Sequence, residues 1–113
     1  MNQVSLIGRL VRSVQLQQIA PDRAVVNNTL AVNSYRKGED GQTLADFVPI
    51  VFWNKTAELV QQYCQKGTLI GVNGHLASRS YINKQEQQVF VLELVVDDLH
   101  FIEPRKDNNT RPF

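Results

Sequence analysis

Cysteine is nearly absent from the chain. Cys64 is the single one among 113 residues, which excludes an internal disulfide and a cysteine-based metal cluster. Long apolar runs are missing too: none approaches the ~20 residues that cross a bilayer. The opening Met1-Asn2-Gln3-Val4-Ser5 has neither the basic start nor the apolar segment of a secretory signal, so a cytoplasmic location is expected. There is little charge of one sign, with twelve Lys and Arg against eleven Asp and Glu. Setting aside Glu103, Arg105, Lys106, Asp107 and Arg111 leaves nine of each sign in residues 1–102. A polyanion site must therefore come from the placement of charges rather than their number.

What is present is the composition of an ordinary globular domain, 42% hydrophobic and 20% charged, at the length of one domain. Alternation with period two dominates. A first strand runs from Val4 through Leu10 and continues weakly past Val14 and Leu16 to a turn at Ala20-Pro21-Asp22-Arg23. Ala24 to Val32 is the second strand, followed by a turn at Gly38-Glu39-Asp40-Gly41. Ala45 to Trp53 is the third. The period then becomes helical from Lys55 to Cys64, with Ala57, Leu59, Val60, Tyr63 and Cys64 on one side. Asn54 is placed to cap this helix and Gly67 to stop it. Thr68 to Tyr81 is a fourth strand, with Gly71 and Gly74 at positions suited to a sharp bend. A polar turn at Asn83–Gln87 leads to a fifth strand, Val89 to Val96, which Leu99-His100-Phe101-Ile102 extends. The polar end from residue 104 to 113 reads as a short disordered tail, leaving residues 1–103 as the domain. Three strands, one helix and two strands is the order of an all-β, five-stranded oligonucleotide/oligosaccharide-binding barrel, with its helix between strands 3 and 4. Another small antiparallel sheet with a covering helix has the same order.

Catalytic and metal-binding signals are weak. His75 and His100 lie in no motif with a serine or cysteine, and they read as surface or edge-strand residues. Cys64 reads as a small buried apolar side chain. Asp97-Asp98 is better read as a turn than as a metal pair, since adjacent strand residues face opposite ways. Gly71 and Gly74 lack the lysine of a phosphate-binding loop. Neither a catalytic set, a metal site nor a cofactor is expected.

The aromatic residues carry more. On the third strand Phe47, Pro49, Val51 and Trp53 share one face, while Val48, Ile50 and Phe52 share the other. Both faces are apolar, so the strand is either covered on both sides, by the helix and by another subunit, or offers one face to a flat ligand. Tyr35 beside Arg36-Lys37, and Tyr81 between Arg79 and Lys84, place further rings next to cations on loops and strand ends. That combination suits single-stranded nucleic acid, where bases stack on rings and cations follow the phosphates. Amphipathic edge residues with a wet hydroxyl are the alternative for the two tyrosines.

These residues bring the chain close to a known family. It resembles bacterial single-stranded DNA-binding proteins from residue 1 to about 104. The resemblance rests on the opening Asn2-Gln3-Val4-Ser5-Leu6-Ile7-Gly8-Arg9-Leu10, then Thr29–Asn33, Asp46-Phe47, and Phe52-Trp53-Asn54-Lys55-Thr56-Ala57-Glu58. It continues through Tyr63–Val72, Gly74-His75-Leu76 and Arg79-Ser80-Tyr81. It implies a homotetrameric, nucleoid-associated barrel that holds single-stranded DNA without sequence preference in replication, recombination, repair or natural transformation. It puts the stacking positions on Tyr35, Phe47, Trp53 and Tyr81, and Arg9, Arg12, Arg36, Lys37, Arg79 and Lys84 are then the candidates for phosphate contact. No cofactor and no membrane are implied. The tail departs from the long members of the family: Asn108-Asn109-Thr110-Arg111-Pro112-Phe113 keeps the terminal Pro-Phe but carries Arg111 where those have a run of acids. Docking of replication or recombination proteins through the tail is left without its acidic determinants, as in the short-tailed members. A related primosome-type barrel acting mainly as a protein-interaction subunit is the second reading, and an enzyme on the same barrel the third.

Overall fold

A computed structural model describes residues 1–103; the tail expected over 104–113 lies outside the described residues. The elements are β1 (Val4–Leu10), β2 (Leu16–Ala20), β3 (Arg23–Lys37), β4 (Thr43–Trp53), α1 (Asn54–Tyr63), β5 (Leu69–Ile82) and β6 (Gln88–Phe101). The strands form one sheet in the order β1-β5-β6-β4-β3-β2, and a further pairing of β1 with β3 closes it. The closed part is thus the five-stranded barrel β1-β5-β6-β4-β3, with α1 between its third and fourth strands in chain order. This is the oligonucleotide/oligosaccharide-binding architecture that the element order predicts.

The expected first strand is broken in two. Its leading half, β1, pairs with β5 from Val4 opposite Gly74 to Arg9 opposite Leu69, and meets β3 only at Arg9 and Leu10. Its trailing half, β2, folds onto β3 outside the closed ring. Between them Asn28 holds the chain: the Arg12 N–H donates to Asn28 Oδ1 at 3.1 Å, and Asn28 Nδ2 donates to the Arg12 carbonyl at 3.1 Å. Gly8 sits where β1 crosses β3, and a Cβ there would collide with the Ala31 carbonyl oxygen. Gly74 is equally confined against the Val95 carbonyl, where the β5–β6 ladder shifts register between Asn73 and Gly74.

Strand alternation sends one set of side chains inward. Leu10, Val26, Leu30, Ile50, Phe52, Ile70, Val72, Leu94 and Val96 fill the barrel, and α1 adds Ala57 and Val60, with Cys64 just after it. Ile50 and Leu94 face each other across the parallel β4–β6 seam. Phe52 is 0% exposed. Among the described residues no helix is long and apolar enough to cross a membrane.

Three local expectations are corrected. Asn54 does not cap the helix: it has φ +53°, and its Oδ1 accepts from the Ala24 N–H at 2.9 Å, tying the helix start to β3 instead. Helix α1 ends at Tyr63, with the Cys64 N–H on the Val60 carbonyl at 2.9 Å. Gly67, at φ +91°, serves the following turn, where its N–H donates to the Leu10 carbonyl at 2.8 Å. Asp97-Asp98 is no turn. Asp98 pairs with Asn73 and Val96 with Gly74, so Asp97 is the extra residue of a β-bulge inside β6.

Phe52→Ala leaves a cavity in a barrel that has one layer of core. Urea unfolding is expected to show a loss of about 3–5 kcal/mol.

Candidate nucleic-acid interface

The outer face of the barrel is a lattice of rows fixed by strand pairing. On β4, Phe47 lies opposite Ala31 of β3, Pro49 opposite Thr29, Val51 opposite Asn27 and Trp53 opposite Val25. Arg9 of β1 is also opposite Ala31, so Arg9, Ala31 and Phe47 form one row. On the other side of β4, Val51 faces Val95 of β6, and Val95 faces His75 of β5. Counting by twos along β5 from His75 brings Ala77, Arg79 and Tyr81 onto this same face. Phe47, Trp53, Tyr81, Arg9 and Arg79 therefore share the outer surface, from three strands that are far apart in sequence.

The rings on it are available. Phe47 is 64% exposed and Tyr81 47%, while Trp53 is half-buried. Tyr35 is fully exposed near the far end of β3, within the register irregularity between Asn33 and Lys37. It thus continues beyond the Phe47 end as part of β3 rather than opening a loop. Phe47 and Trp53 are six residues apart on an extended strand, about 20 Å, room for several stacked bases. Val51, on the same face, is buried.

The cations divide into held and unheld groups. Arg9 Nη1 donates to the Gly67 carbonyl at 2.9 Å and to Glu103 Oε2 at 3.0 Å. Arg79 Nε reaches Glu93 Oε1 at 3.3 Å, and its guanidinium lies 6.0 Å from the centre of the Tyr81 ring. Lys37 Nζ reaches the Thr43 hydroxyl at 3.4 Å. Arg12, Arg36 and Lys84 have side chains with no ion pair among the described residues. Sequence reasoning missed Arg23. It begins β3, and its guanidinium sits 4.8 Å from the centre of the Trp53 ring, within the range of a cation–π contact. Only the pairing of Val25 with Trp53, invisible in a one-dimensional pattern, brings the two together.

Glu103 is the other group that sequence reasoning left unassigned. Its Oε1 accepts from the Leu69 N–H at 3.0 Å while Oε2 takes Arg9, so one carboxylate joins the end of β6 to β5 and β1. The Leu69 hydrogen bond first, and the Arg9 guanidinium second, hold its carboxyl below the ordinary glutamate range. His75 Nδ1 lies 3.0 Å from Asp97 Oδ2 at the bulge, and His100 Nε2 lies 3.0 Å from Asn73 Nδ2. Neither histidine has a nucleophile partner. Among the described residues no group of three or more His, Cys, Asp or Glu is placed to hold a metal ion. What the surface can do is stack flat rings and pair phosphates.

The comparisons with known proteins agree with that chemistry. The sequence model of the "Single-strand binding protein family" matches residues 1–102. The chain is 42% identical over 104 residues to "Single-stranded DNA-binding protein B" of Bacillus subtilis (strain 168), covering 92% of each chain. It is 40% identical over 111 residues to "Single-stranded DNA-binding protein" of Staphylococcus aureus (strain MRSA252), over 98% of this chain and 71% of that one. The protein of the same name from Halalkalibacterium halodurans is 43% identical over 105 residues, 93% of this chain and 62% of its own.

Because the Glu103 carboxyl is depressed, its contribution to stability is complete above the ordinary glutamate pKa. It is lost as the pH falls through the lowered folded value. Glu103→Gln is expected to be less stable than the unsubstituted chain in urea at pH 7, with the gap closing towards pH 3. A gap unchanged at pH 3 would show that the carboxylate charge plays no part in the clasp.

Proposed function

Since the chain belongs to the single-strand binding protein family, we propose that residues 1–103 act as its DNA-binding domain. They hold single-stranded DNA by stacking and phosphate contact, without sequence specificity overall, in replication, recombination, repair or natural transformation. The observation that carries this reading is the shared outer face of Phe47, Trp53, Tyr81, Arg9 and Arg79. A duplex buries its base faces in its own stack, whereas a single strand offers them. Each stacked base contributes about 1–3 kcal/mol, a magnitude established on proteins of this kind. Arg9, Arg12, Arg36, Lys37, Arg79 and Lys84 neutralise phosphates around that face, and Tyr35 extends it. The protein works in the cytoplasm as a binding protein and not as an enzyme.

The assembly is a homotetramer. The sequence places the unburied apolar surface on the third strand, but Val51 there is covered within the chain. Besides Phe47, uncovered apolar side chains lie elsewhere. Ile7 and Ile102 flank Gly71 and Val72 in a shallow concavity of about 570 Å³. Phe90, Leu92 and Ile82 stand exposed on the β5–β6 hairpin, on the face opposite Tyr81 and Arg79. The edge of β1 away from β5 is paired only at Arg9 and Leu10, leaving open backbone groups that another strand can take. A patch of this kind marks an interaction surface.

Trp53→Ala is expected to weaken binding to a single strand by about 1–3 kcal/mol. The protein remains a tetramer, with a light-scattering mass near four times the 12.9 kDa of one chain. Loss of folding in Trp53→Ala would mean that the ring is core and the outer-face assignment is wrong, and a mass near 12.9 kDa before any substitution would remove the tetramer.

A further inference from the structure

Beside the Trp53 end of the outer face is a cleft of about 310 Å³, lined by Arg12, Ser13, Gln15, Gln17 and Asn27. That is the lower end of the ~300–1,000 Å³ range of small-ligand sites. None of the five side chains makes a hydrogen bond or ion pair with another described residue. Pairing fixes their place: Gln17 is opposite Val25, which is opposite Trp53. The amide and the ring are thus two strand spacings apart, about 10 Å between backbones. Asn27, two residues from Val25, faces the same way. The wall is rigid as well. Asn28, only 4% exposed, grips both the N–H and the carbonyl of Arg12, and the Val11 N–H donates to the Thr29 carbonyl at 2.9 Å.

We propose that this cleft reads the edge of the nucleobase stacked on Trp53, adding one base-sensitive position to a surface otherwise indifferent to sequence. The inference rests on the single-strand reading above. A base edge presents donors and acceptors together, and the side-chain amides of Gln15, Gln17 and Asn27 match both. A phosphate only accepts, so it would use the amide N–H groups and leave their oxygens idle. Arg23 stands over the Trp53 ring, which stays partly exposed, and the cleft lies on the β3–β2 side of that ring, where Gln17 and Asn27 flank the buried Val25.

The test titrates the full chain with dT, dC and dA oligomers of equal length and with a duplex of that length, beside Gln17→Ala/Asn27→Ala. Both residues are exposed, and circular dichroism checks the fold. The unsubstituted chain is expected to rank the three strands, and the double variant to narrow the spread of affinities by about fivefold or more with its salt dependence unchanged. An unchanged spread, or equal losses on all three strands, overturns base reading. If Arg12→Gln alone also lowers the log–log salt slope by ~0.7 while the amide variant leaves the spread intact, the cleft is a phosphate site and the proposal is again overturned. Binding of the unsubstituted chain to the duplex as tightly as to every single strand would fail the single-strand reading itself, separately from the cleft.

Discussion

The close crossing of β1 over β3 at Gly8 governs the molecule. A side chain at this position would strike the Ala31 carbonyl, and without that approach β1 could not meet β3 to close the ring. Once the sheet is closed, every strand has an inside and an outside, and period-two alternation becomes a binary sorting of function. Residues on the inner face make the core. Those on the outer face, with no second layer available in a chain this short, are left for ligand and partner.

This sorting explains how a protein of nearly balanced charge can hold a polyanion. The cations are few, but Arg9 and Arg79 are each fixed by a carboxylate on the same surface as the rings. Glu103 and Glu93 hold their guanidiniums in place rather than leaving them to sample many rotamers, at the cost of neutralising part of their charge. The Arg9–Glu103 pair is open to solvent on both sides, which screens it and limits what it adds to stability, whereas Glu93 in the Arg79 pair is only 13% exposed. Arg23 differs: it rests on Trp53 without a carboxylate partner among the described residues, and keeps its full charge at the Trp53 end of the face.

Much of this was legible in the sequence because alternation is a local signal. Phe52 and Trp53 fall on opposite sides of β4 by counting alone, and the helical period of α1 breaks the pattern where the fold needs a plug. Whatever depends on strand pairing was not legible. Arg23 meets Trp53, and Glu103 clasps Arg9, only through partners 30 and 94 positions away (Arg23 to Trp53, Arg9 to Glu103). Asn54 looked like a cap because its side chain suits one, but its positive φ turns that side chain to the Ala24 N–H. The Asp97 bulge likewise appears only when β6 is laid against β5. The four aromatic positions were expected from ring-and-cation adjacency and family resemblance together; the pairing then puts Phe47, Trp53 and Tyr81 on the outer face.

Trp53 is the single tryptophan of the chain, so its emission reports on one point of the outer face. The most direct measurement is a fluorescence titration with a homopolymeric single strand and, separately, a duplex of equal length. The account predicts strong, saturable quenching by the single strand and little change with the duplex, because only the single strand can lay a base on the ring. Equal quenching by both, or none by either at concentrations where the single strand is bound, would contradict it.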